Sequence, residues 1–390
     1  MAELTSRDRV RRALNHQESD RVPIDIGGMA TLTTLHRDAY KKLKKHLGIR
    51  GEIQLTSMPS QSIFLDEEIR RRFMADCYPL SVMWPYGSQL NPTVEKDGAF
   101  AYVDEWGVKW RCPENGLYYD AVHHPLRDCT LEDIERHIWP DPTDNSKIAG
   151  LGKKAREMYE NTEYALIMNG PLYGGVYVPC QWMMGFEEFF IKLMIEPEIV
   201  RSLLDKVVAY HIGQWDKILD ETGRYIEAVV LTDDLGTQTS PIMSPSAYRK
   251  IIKPAHKRII SFIKSKADVK VIFHCDGAIT EFLPDLVDIG CDVLNPVQVS
   301  AAGFGDTKKL KKEYGDKLAF WGGACESQST LAKGSIEEIR AEVERRIGDL
   351  APGGGFIASS IHSIQKDAPV ENIIAFYDAL LEFGTKIYQK

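Results

Sequence analysis

The sequence has few of the features that mark secreted, zinc-knuckle or membrane-embedded proteins. It contains seven cysteines, scattered along the chain without a CxxC pair. That spacing is unlike a disulfide framework or a structural zinc knuckle. No stretch approaches the roughly 20 apolar residues that a membrane-spanning helix needs. The first residues, MAELTSRDRVRRALNHQ, lack an apolar signal region. We therefore expect a cytoplasmic protein without a membrane segment.

The sequence also lacks an excess of positive charge. Its formal net charge is −8 at pH 7. A net acidic surface does not hold nucleic acid or an anionic membrane without a local basic patch. The basic stretches RDRVRR (7–12) and KKLKK (41–45) have helical amphipathic spacing, so we interpret them as solvated helix faces. We expect neither nucleic acid nor a membrane as a partner.

What the chain does contain is a series of short apolar runs separated by helical patterns. The eight runs predicted to be strands lie near residues 24, 82, 166, 231, 272, 293, 320 and 357. Strands that are apolar throughout are typical of parallel sheets covered on both faces. This α/β pattern predicts a single (β/α)8 TIM barrel over 1–390 with an N-terminal helical extension. An open, doubly wound sheet in two domains is the alternative.

Residues 91–125 depart from this pattern. FAYVDEWGVKWRC and GLYYDAVHH are short alternating segments with glycine at the turns. Alternation of apolar and polar residues is typical of half-buried antiparallel strands. We predict an inserted β-hairpin or small sheet after the second barrel strand.

One predicted strand ends in an unusual group of side chains. The stretch VIFHCDGA (271–278) begins as a buried strand and ends in a histidine, a cysteine and an aspartate. Because strand side chains alternate between faces, His274 and Asp276 are predicted to share a face, with Cys275 on the other. Active sites of TIM barrels lie at the carboxyl ends of the strands. Polar or glycine residues follow many of the predicted strands at that end, namely Asp25, Gly27, Gly28, Asn169, Asp233, Asp234, His274, Asp276, Asn295, Glu326 and His362.

These strand ends predict a catalytic divalent metal. The two imidazoles and two carboxylates of His274, Asp276, Glu326 and His362 are candidate ligands. We take His274, Glu326 and His362 as the ligands, and Asp234 and Asp276 as the catalytic acids. Nitrogen and oxygen donors suit a zinc ion that keeps an open coordination position. Roles that need no metal remain open for each of these residues. His274 could be a hydrogen-bonded core histidine, Glu326 could cap the following helix, and His362 could bind a substrate carboxylate without metal.

We expect four further residues to contact the substrate, by their place at strand ends or in an aromatic pocket. They are Gly28, Tyr177, Asn295 and Trp321. For an aromatic residue such as Tyr177, a place in the core is the alternative.

Several longer segments resemble the uroporphyrinogen decarboxylase superfamily. They are RVRRALNHQESDRVPIDIGG, DDLGTQTSPIMSPSAYRKIIKPAHKRI, FHCDG, FWGGACESQ and GGGFIASSIHSIQKDAPVENIIAFYDAL. The resemblance covers nearly the whole chain except the insertion, and it implies a TIM barrel. The family includes cofactor-free porphyrinogen decarboxylases and metal-dependent methyltransferases that serve corrinoid proteins.

The motifs distinguish between these classes. The decarboxylases carry PxWxMRQAGR after the first strand, whereas this chain reads VPIDIGGMATLT, without arginine. Thiol-methylating members hold zinc with a His-x-Cys motif and a later cysteine. Here Asp276 stands in place of the motif's cysteine, and no cysteine follows Cys325.

The remaining resemblance is to the methyltransferase I component of anaerobic O-demethylase systems. It implies methyl transfer from a small methoxylated aromatic substrate to cobalamin on a corrinoid protein. It also implies a zinc site of carboxylate and histidine, with Glu326 and His362 as the best matches. Open alternatives are a metal-free decarboxylase of a smaller acid, another methyl donor (methylamine, betaine or methanol) and a non-enzymatic binding module. The sequence leaves monomer and homodimer open.

Overall fold

The computed structural model describes residues 4–82, 92–116, 118–171 and 175–389. The strands in this part of the chain are, in order, β1 (Leu55–Ser57), β2 (Ser62–Ile63), β3 (Cys77–Leu80), β4 (Thr93–Val94), β5 (Phe100–Val103), β6 (Lys109–Cys112), β7 (Asp120–His123), β8 (Ala165–Met168), β9 (Ala228–Thr232), β10 (Lys270–His274), β11 (Val293–Asn295), β12 (Ala319–Trp321) and β13 (Phe356–Ile357).

The main sheet is parallel and closes on itself. Its strands are neighbours in the order β13-β12-β11-β10-β9-β8-β3. The segment around Ile24 joins the two edges. The amide of Ala358 donates to the carbonyl of Pro23 at 2.8 Å, and the amide of Asp76 donates to the carbonyl of Ile24 at 2.8 Å. This segment is the eighth member of the ring. The predicted (β/α)8 barrel is confirmed, and the open-sheet alternative is excluded.

The strands lie close to the positions predicted for them. The largest difference is in the second, which ends at Leu80 rather than continuing past residue 82. Residues 83–85 of that predicted run lie outside the described residues. The apolar runs were readable because both faces of each strand are covered. Ala165, Leu166, Ile167 and Met168, for example, are all 0% exposed.

Helices surround the barrel. They are α1 (Ser6–Leu14), α2 (Arg37–Leu47), α3 (Glu67–Arg72), α4 (Leu131–Arg136), α5 (Leu151–Asn161), α6 (Tyr177–Met184), α7 (Phe186–Ile195), α8 (Pro197–Thr222), α9 (Pro245–Ala247), α10 (Lys253–Lys266), α11 (Leu283–Asp288), α12 (Thr307–Tyr314), α13 (Thr330–Lys333), α14 (Ile336–Leu350) and α15 (Val370–Lys386). A π-helix at Tyr248–Ile252 precedes α10. Within the described residues, none of these helices has the length and apolarity needed to cross a membrane.

The barrel interior is filled by small and branched apolar side chains. They include Cys77, Ala165, Ile167, Ala228, Val230, Ile272, Val293, Ala319 and Ile357. Val10, Ala13 and Leu14 of α1 belong to the same cluster, so this helix fills the amino-terminal end of the barrel. Burial of one such branched side chain stabilises the fold by about 1.5–3 kcal/mol.

A small antiparallel sheet lies beside the carboxyl end of the barrel. It contains β4 to β7 in sequential order, within the segment 91–125 where an inserted sheet is predicted. Residues 91 and 117 of that segment lie outside the described residues. Trp110 of the sheet packs edge-on against Trp182 of α6, with ring centroids 4.9 Å apart. The hydroxyl of Tyr118 donates to Oε1 of Gln365 at 2.7 Å, in the loop after β13.

Candidate metal centre

Three predicted site residues converge at the carboxyl end of the barrel. One ligand atom from each of His274, Asp276 and His362 lies within 4.8 Å of the other two. Oδ2 of Asp276 is 3.7 Å from Nε2 of His274 and 4.0 Å from Nε2 of His362. We call these three residues the metal trio. Two nitrogen donors and one oxygen donor are a ligand set that zinc accepts.

Strand alternation explains why His274 and Asp276 face the same way. Ile272 points into the barrel interior, and His274 and Asp276 follow it at intervals of two residues. Cys275 points outward into the core beneath the helices, where its Sγ accepts a hydrogen bond from the amide of Leu235 at 3.1 Å. Cys275 therefore lies outside the trio, as the pattern predicts.

Asp234 is the second carboxylate at this end of the barrel. Its Oδ1 accepts a hydrogen bond from the amide of Asp276 at 2.9 Å, and its side chain is exposed. Although part of this side chain reaches solvent, the protein packed around its carboxyl group and the charge of Asp276 both raise the pKa of Asp234. A carboxyl group with a raised pKa beside a candidate metal can act as a proton donor.

Asp233, the preceding residue, has a different environment. It is 1% exposed, and its carboxylate accepts hydrogen bonds from the amides of Val176, Tyr177 and Val178 at 2.8, 3.0 and 3.1 Å. His256 Nε2 lies 2.7 Å from the same carboxylate. Asp233 thus fixes the start of α6 and faces away from the trio, while Asp234 faces the mouth of the barrel.

The charges within the trio are strongly coupled. Burial lowers the pKa of His274, but the negative charges of Asp276 and Asp234 outweigh it and raise this pKa to about 9. Burial raises the pKa of Asp276, but the attraction of His274 prevails and lowers it. For His362, burial lowers the pKa, helped by the positive charge of His274.

Solvent reaches two members of the trio. The side chains of His362 and Asp276 are 39% and 31% exposed, whereas His274 is 3% exposed. The protein nevertheless surrounds both groups closely enough to shift their pKa values. The trio can therefore be reached from solvent at the barrel mouth through Asp276 and His362.

Glu326, predicted as a ligand, is not part of this group within the described residues. Its Oε2 accepts hydrogen bonds from the amide and the hydroxyl of Ser329, at 2.5 and 2.6 Å. These contacts hold the turn that leads into α13. The carboxylate that lies close to the two histidines is that of Asp276, which the sequence predicts as a candidate ligand and as a catalytic acid.

The four predicted substrate contacts are all buried. The amide of Gly28 donates to Oδ1 of Asp25 at 2.7 Å, and Nε1 of Trp321 donates to Oδ2 of Asp25 at 2.9 Å. Asn295 contacts His274, with 2.6 Å between its Oδ1 and Nδ1 of the imidazole. The hydroxyl of Tyr177 is buried without a hydrogen-bond partner in the described structure. Only Asn295 is shown to contact the trio directly, and the contact of all four residues with substrate stays a prediction.

Two glutamines that sequence reasoning missed hold the loops of the trio. Oε1 of Gln298 accepts from the amide of Gly277 at 2.5 Å, directly after Asp276. Nε2 of Gln365 donates to the carbonyl of Ser363 at 2.9 Å, in the loop that carries His362. Neither glutamine stands out in the sequence, because its role depends on which loops the barrel brings together.

The fold and parts of the sequence match known proteins. A family model described as "Uroporphyrinogen decarboxylase (URO-D)" matches residues 104–383. Uroporphyrinogen decarboxylase of Alkalilimnicola ehrlichii is 23% identical over 393 residues, covering 98% of this chain and 96% of that protein. The enzyme of the same name from Psychromonas ingrahamii is 22% identical over 282 residues, covering 69% of this chain and 74% of that protein.

Among solved structures, a methyltransferase from Methanosarcina mazei has the same fold. It superposes with a TM-score of 0.66 at 17% identity, covering 98% of this chain and 99% of the other. The family model spans most of the sequence, and the closed barrel agrees with it. This chain belongs to the uroporphyrinogen decarboxylase family.

Proposed function

We propose that this protein transfers a methyl group from a methoxylated aromatic compound to the cobalamin of a partner corrinoid protein. The metal trio at the open barrel mouth carries the proposal. Oδ1 of Asp276 supports it further, since this atom is buried without a hydrogen-bond partner among the described residues. A buried carboxylate oxygen without a partner is costly unless it binds a ligand. A methyltransferase with the same fold is consistent with this function.

The spacing of the donor atoms fits a zinc ion. Tetrahedral zinc with bonds of 2.0–2.2 Å separates its ligand atoms by about 3.4 Å. The separations from Asp276, 3.7 and 4.0 Å, are slightly wider, and the three donor atoms all lie within 4.8 Å of one another, so zinc binding would draw Asp276 and His362 inward. Nε2 of His274, the carboxylate of Asp276 and Nε2 of His362 would hold the ion. When bound, it would act as a Lewis acid that polarises the ether oxygen.

The protein's own groups have defined tasks in this reaction. The bond between the ether oxygen and the methyl carbon breaks with its electron pair left on oxygen, and cob(I)alamin of the partner protein supplies the electron pair of the new cobalt–carbon bond. The oxygen then needs a proton. Asp234, exposed beside Asp276 and with a raised pKa, would supply it. The exposed sides of Asp276 and His362 are where a large methyl acceptor would approach.

A metal-free decarboxylase is the second candidate, because the curated relatives are uroporphyrinogen decarboxylases. In that reaction His274, with a pKa of about 9, would stay protonated at neutral pH and bind a substrate carboxylate. The segment after the first strand, VPIDIGGMATLT, supplies no arginine for further carboxylates. A decarboxylase substrate would therefore be a smaller acid.

The direct test is methyl transfer in vitro. Purified protein is incubated with zinc, reduced cobalamin and a panel of methoxyarenes that includes vanillate, and methylcobalamin is followed by its absorbance. We expect methylcobalamin and the matching phenol in equal amounts. Absence of both products across the panel, with zinc bound, would refute the methyl-transfer proposal.

Metal content separates the two candidates. We expect one zinc per wild-type chain, and its loss in His362→Ala. Glu326→Ala is the matched control, because it removes a carboxylate at the same end of the barrel that is bound to Ser329 instead. Wild-type protein without stoichiometric metal would favour the decarboxylase. Loss of zinc in Glu326→Ala as well would return Glu326 to the ligand set.

A further inference from the structure

A buried hydrogen-bonded chain runs from the metal trio into the barrel. Nδ1 of His274 lies 2.6 Å from Oδ1 of Asn295, and Nδ2 of Asn295 donates to the carbonyl oxygen of Trp321 at 2.8 Å. Nε1 of Trp321 in turn donates to Oδ2 of Asp25 at 2.9 Å. His274 is 3% exposed and the other three residues are 0% exposed. Water is therefore excluded from the chain.

This hydrogen-bonded chain determines which atom of Asn295 faces His274. A backbone carbonyl oxygen only accepts hydrogen bonds, so the group that approaches Trp321 must be the amide nitrogen of Asn295. The amide oxygen then points to the imidazole. The reversed amide would place two oxygens against each other at 2.8 Å, without a proton between them, in a site closed to water.

The orientation of Asn295 in turn fixes the proton on His274. An amide oxygen only accepts, so Nδ1 of His274 must carry a hydrogen. In the neutral imidazole the lone pair is then on Nε2, the atom 3.7 Å from Oδ2 of Asp276. Metal ligation requires that lone pair.

The pairing of strands explains why this residue is in place. His274, the last residue of β10, is paired with Asn295, the last residue of β11. Both side chains therefore leave the sheet at the same height and on the same face. Asn295 has no exposed surface in this conformation, which does not suit the substrate contact predicted for it.

We infer that Asn295 is a positioning residue, which holds His274 in the tautomer and orientation that present Nε2 to a metal. This inference deepens the proposed function and rests on it for the identity of the ligand. Removing a group that orients a metal-binding histidine typically weakens metal binding by about 10- to 100-fold. Asparagine is suited to the position because it combines an acceptor for His274 with a donor for Trp321.

Zinc competition with a chromophoric chelator tests this role. We expect Asn295→Leu, which is similar in volume, to weaken zinc binding about 10- to 100-fold. Asn295→Asp keeps an acceptor for Nδ1 but sets an oxygen against the carbonyl of Trp321, so it should recover the affinity only in part. Asn372→Leu is the matched control, because it removes another buried amide that donates to backbone carbonyls, those of Leu331 and Gly334. It should leave zinc binding unchanged.

A spectroscopic measurement separates this inference from the proposed function. In metal-free wild-type protein with ¹⁵N-labelled histidine rings, at a pH above about 9, the ¹⁵N shifts should show His274 protonated on Nδ1. Protonation on Nε2, or wild-type zinc affinity in Asn295→Leu, would overturn the inference. If wild-type protein binds no zinc, the proposed function fails, but the ring shifts still decide the role of Asn295.

Discussion

Nε2 of His274 and Oδ2 of Asp276 lie 3.7 Å apart, which is longer than a hydrogen bond. The two groups attract each other without contact. Each points to the same space, and His362 approaches that space from another strand end. The distance lies within the range of an ion pair, and the three groups are also close enough together to hold one metal ion.

Zinc affinity should rise with pH. The raised pKa of His274, about 9, means that zinc must displace a proton below that pH. We expect affinity to increase about tenfold per pH unit between pH 7 and 9 and then to level off. Asp234→Asn removes one of the charges that raise this pKa, so the zinc affinity of this variant should level off at a lower pH. Affinity independent of pH in wild-type protein would contradict this assignment.

Neighbouring aspartates should respond differently to the same substitution. Asp234→Asn keeps an acceptor for the amide of Asp276 but loses the acid, so we expect methyl transfer about 10²- to 10⁴-fold slower and nearly unchanged stability. Asp233→Asn loses acceptors for the start of α6 and should cost about 1–3 kcal/mol of folding free energy. Kinetics and urea unfolding measure the two effects. An equal loss of folding free energy in the two variants would contradict these different roles of Asp233 and Asp234.

The packing around Gly28 can be tested with a second glycine as control. A Cβ at Gly28 would lie 2.5 Å from both Oδ1 of Asp25 and Cβ of Cys77. Gly28→Ala should therefore destabilise the protein by about 1–3 kcal/mol. A Cβ at Gly348, in α14, would meet no atom within 4 Å. Gly348→Ala should stabilise the helix by about 0.5–1 kcal/mol. Urea unfolding measures both changes. A free energy of unfolding that shifts in the same direction in both variants would contradict the predicted crowding at Gly28.

Glu227 should make stability depend on pH, far from the metal trio. Burial raises its pKa to about 7 and outweighs the hydrogen bond from Leu166 and the charges of Arg11 and Arg7, which lower it. Because the folded state holds this proton more tightly, the stabilisation is fully present below about pH 4.5 and lost as pH rises through 7. The loss amounts to roughly 3 kcal/mol at most.

Glu227→Gln should therefore flatten the pH dependence of the unfolding free energy over that range. Urea unfolding between pH 4.5 and 8 measures it. The side-chain amide oxygen of the variant still accepts from the backbone amide of Leu166. Arg11 loses the ion pair that it makes with Glu227 at 3.0 Å in the wild-type protein. A pH dependence as steep in the variant as in wild type would assign it to other groups.

The barrel was readable from the sequence because its strands are apolar on both faces. A run such as Ala165–Met168 has no polar face to obscure it, and eight such runs imply a closed ring. The pair His274 and Asp276 was readable for a similar reason, since alternation along one strand is a local property.

Properties that depend on contacts between distant segments could not be read in this way. Glu326 follows a strand just as Asp276 does, but the sequence does not show whether its carboxylate reaches the two histidines; it instead accepts from Ser329, only three residues on. The contact of Asn295 with Trp321 joins neighbouring strands 26 residues apart in sequence. The sequence contains each of these residues but does not show which of them meet.

The helix α1 has a consequence for the order of events in the proposed reaction. Its side chains occupy one end of the barrel, so donor and acceptor must both use the mouth. The small aromatic ether has to enter before the bulky corrinoid domain arrives, and the demethylated phenol can leave only after that domain withdraws. Kinetics with a protein-bound acceptor should accordingly show compulsory order, with excess acceptor acting as an inhibitor.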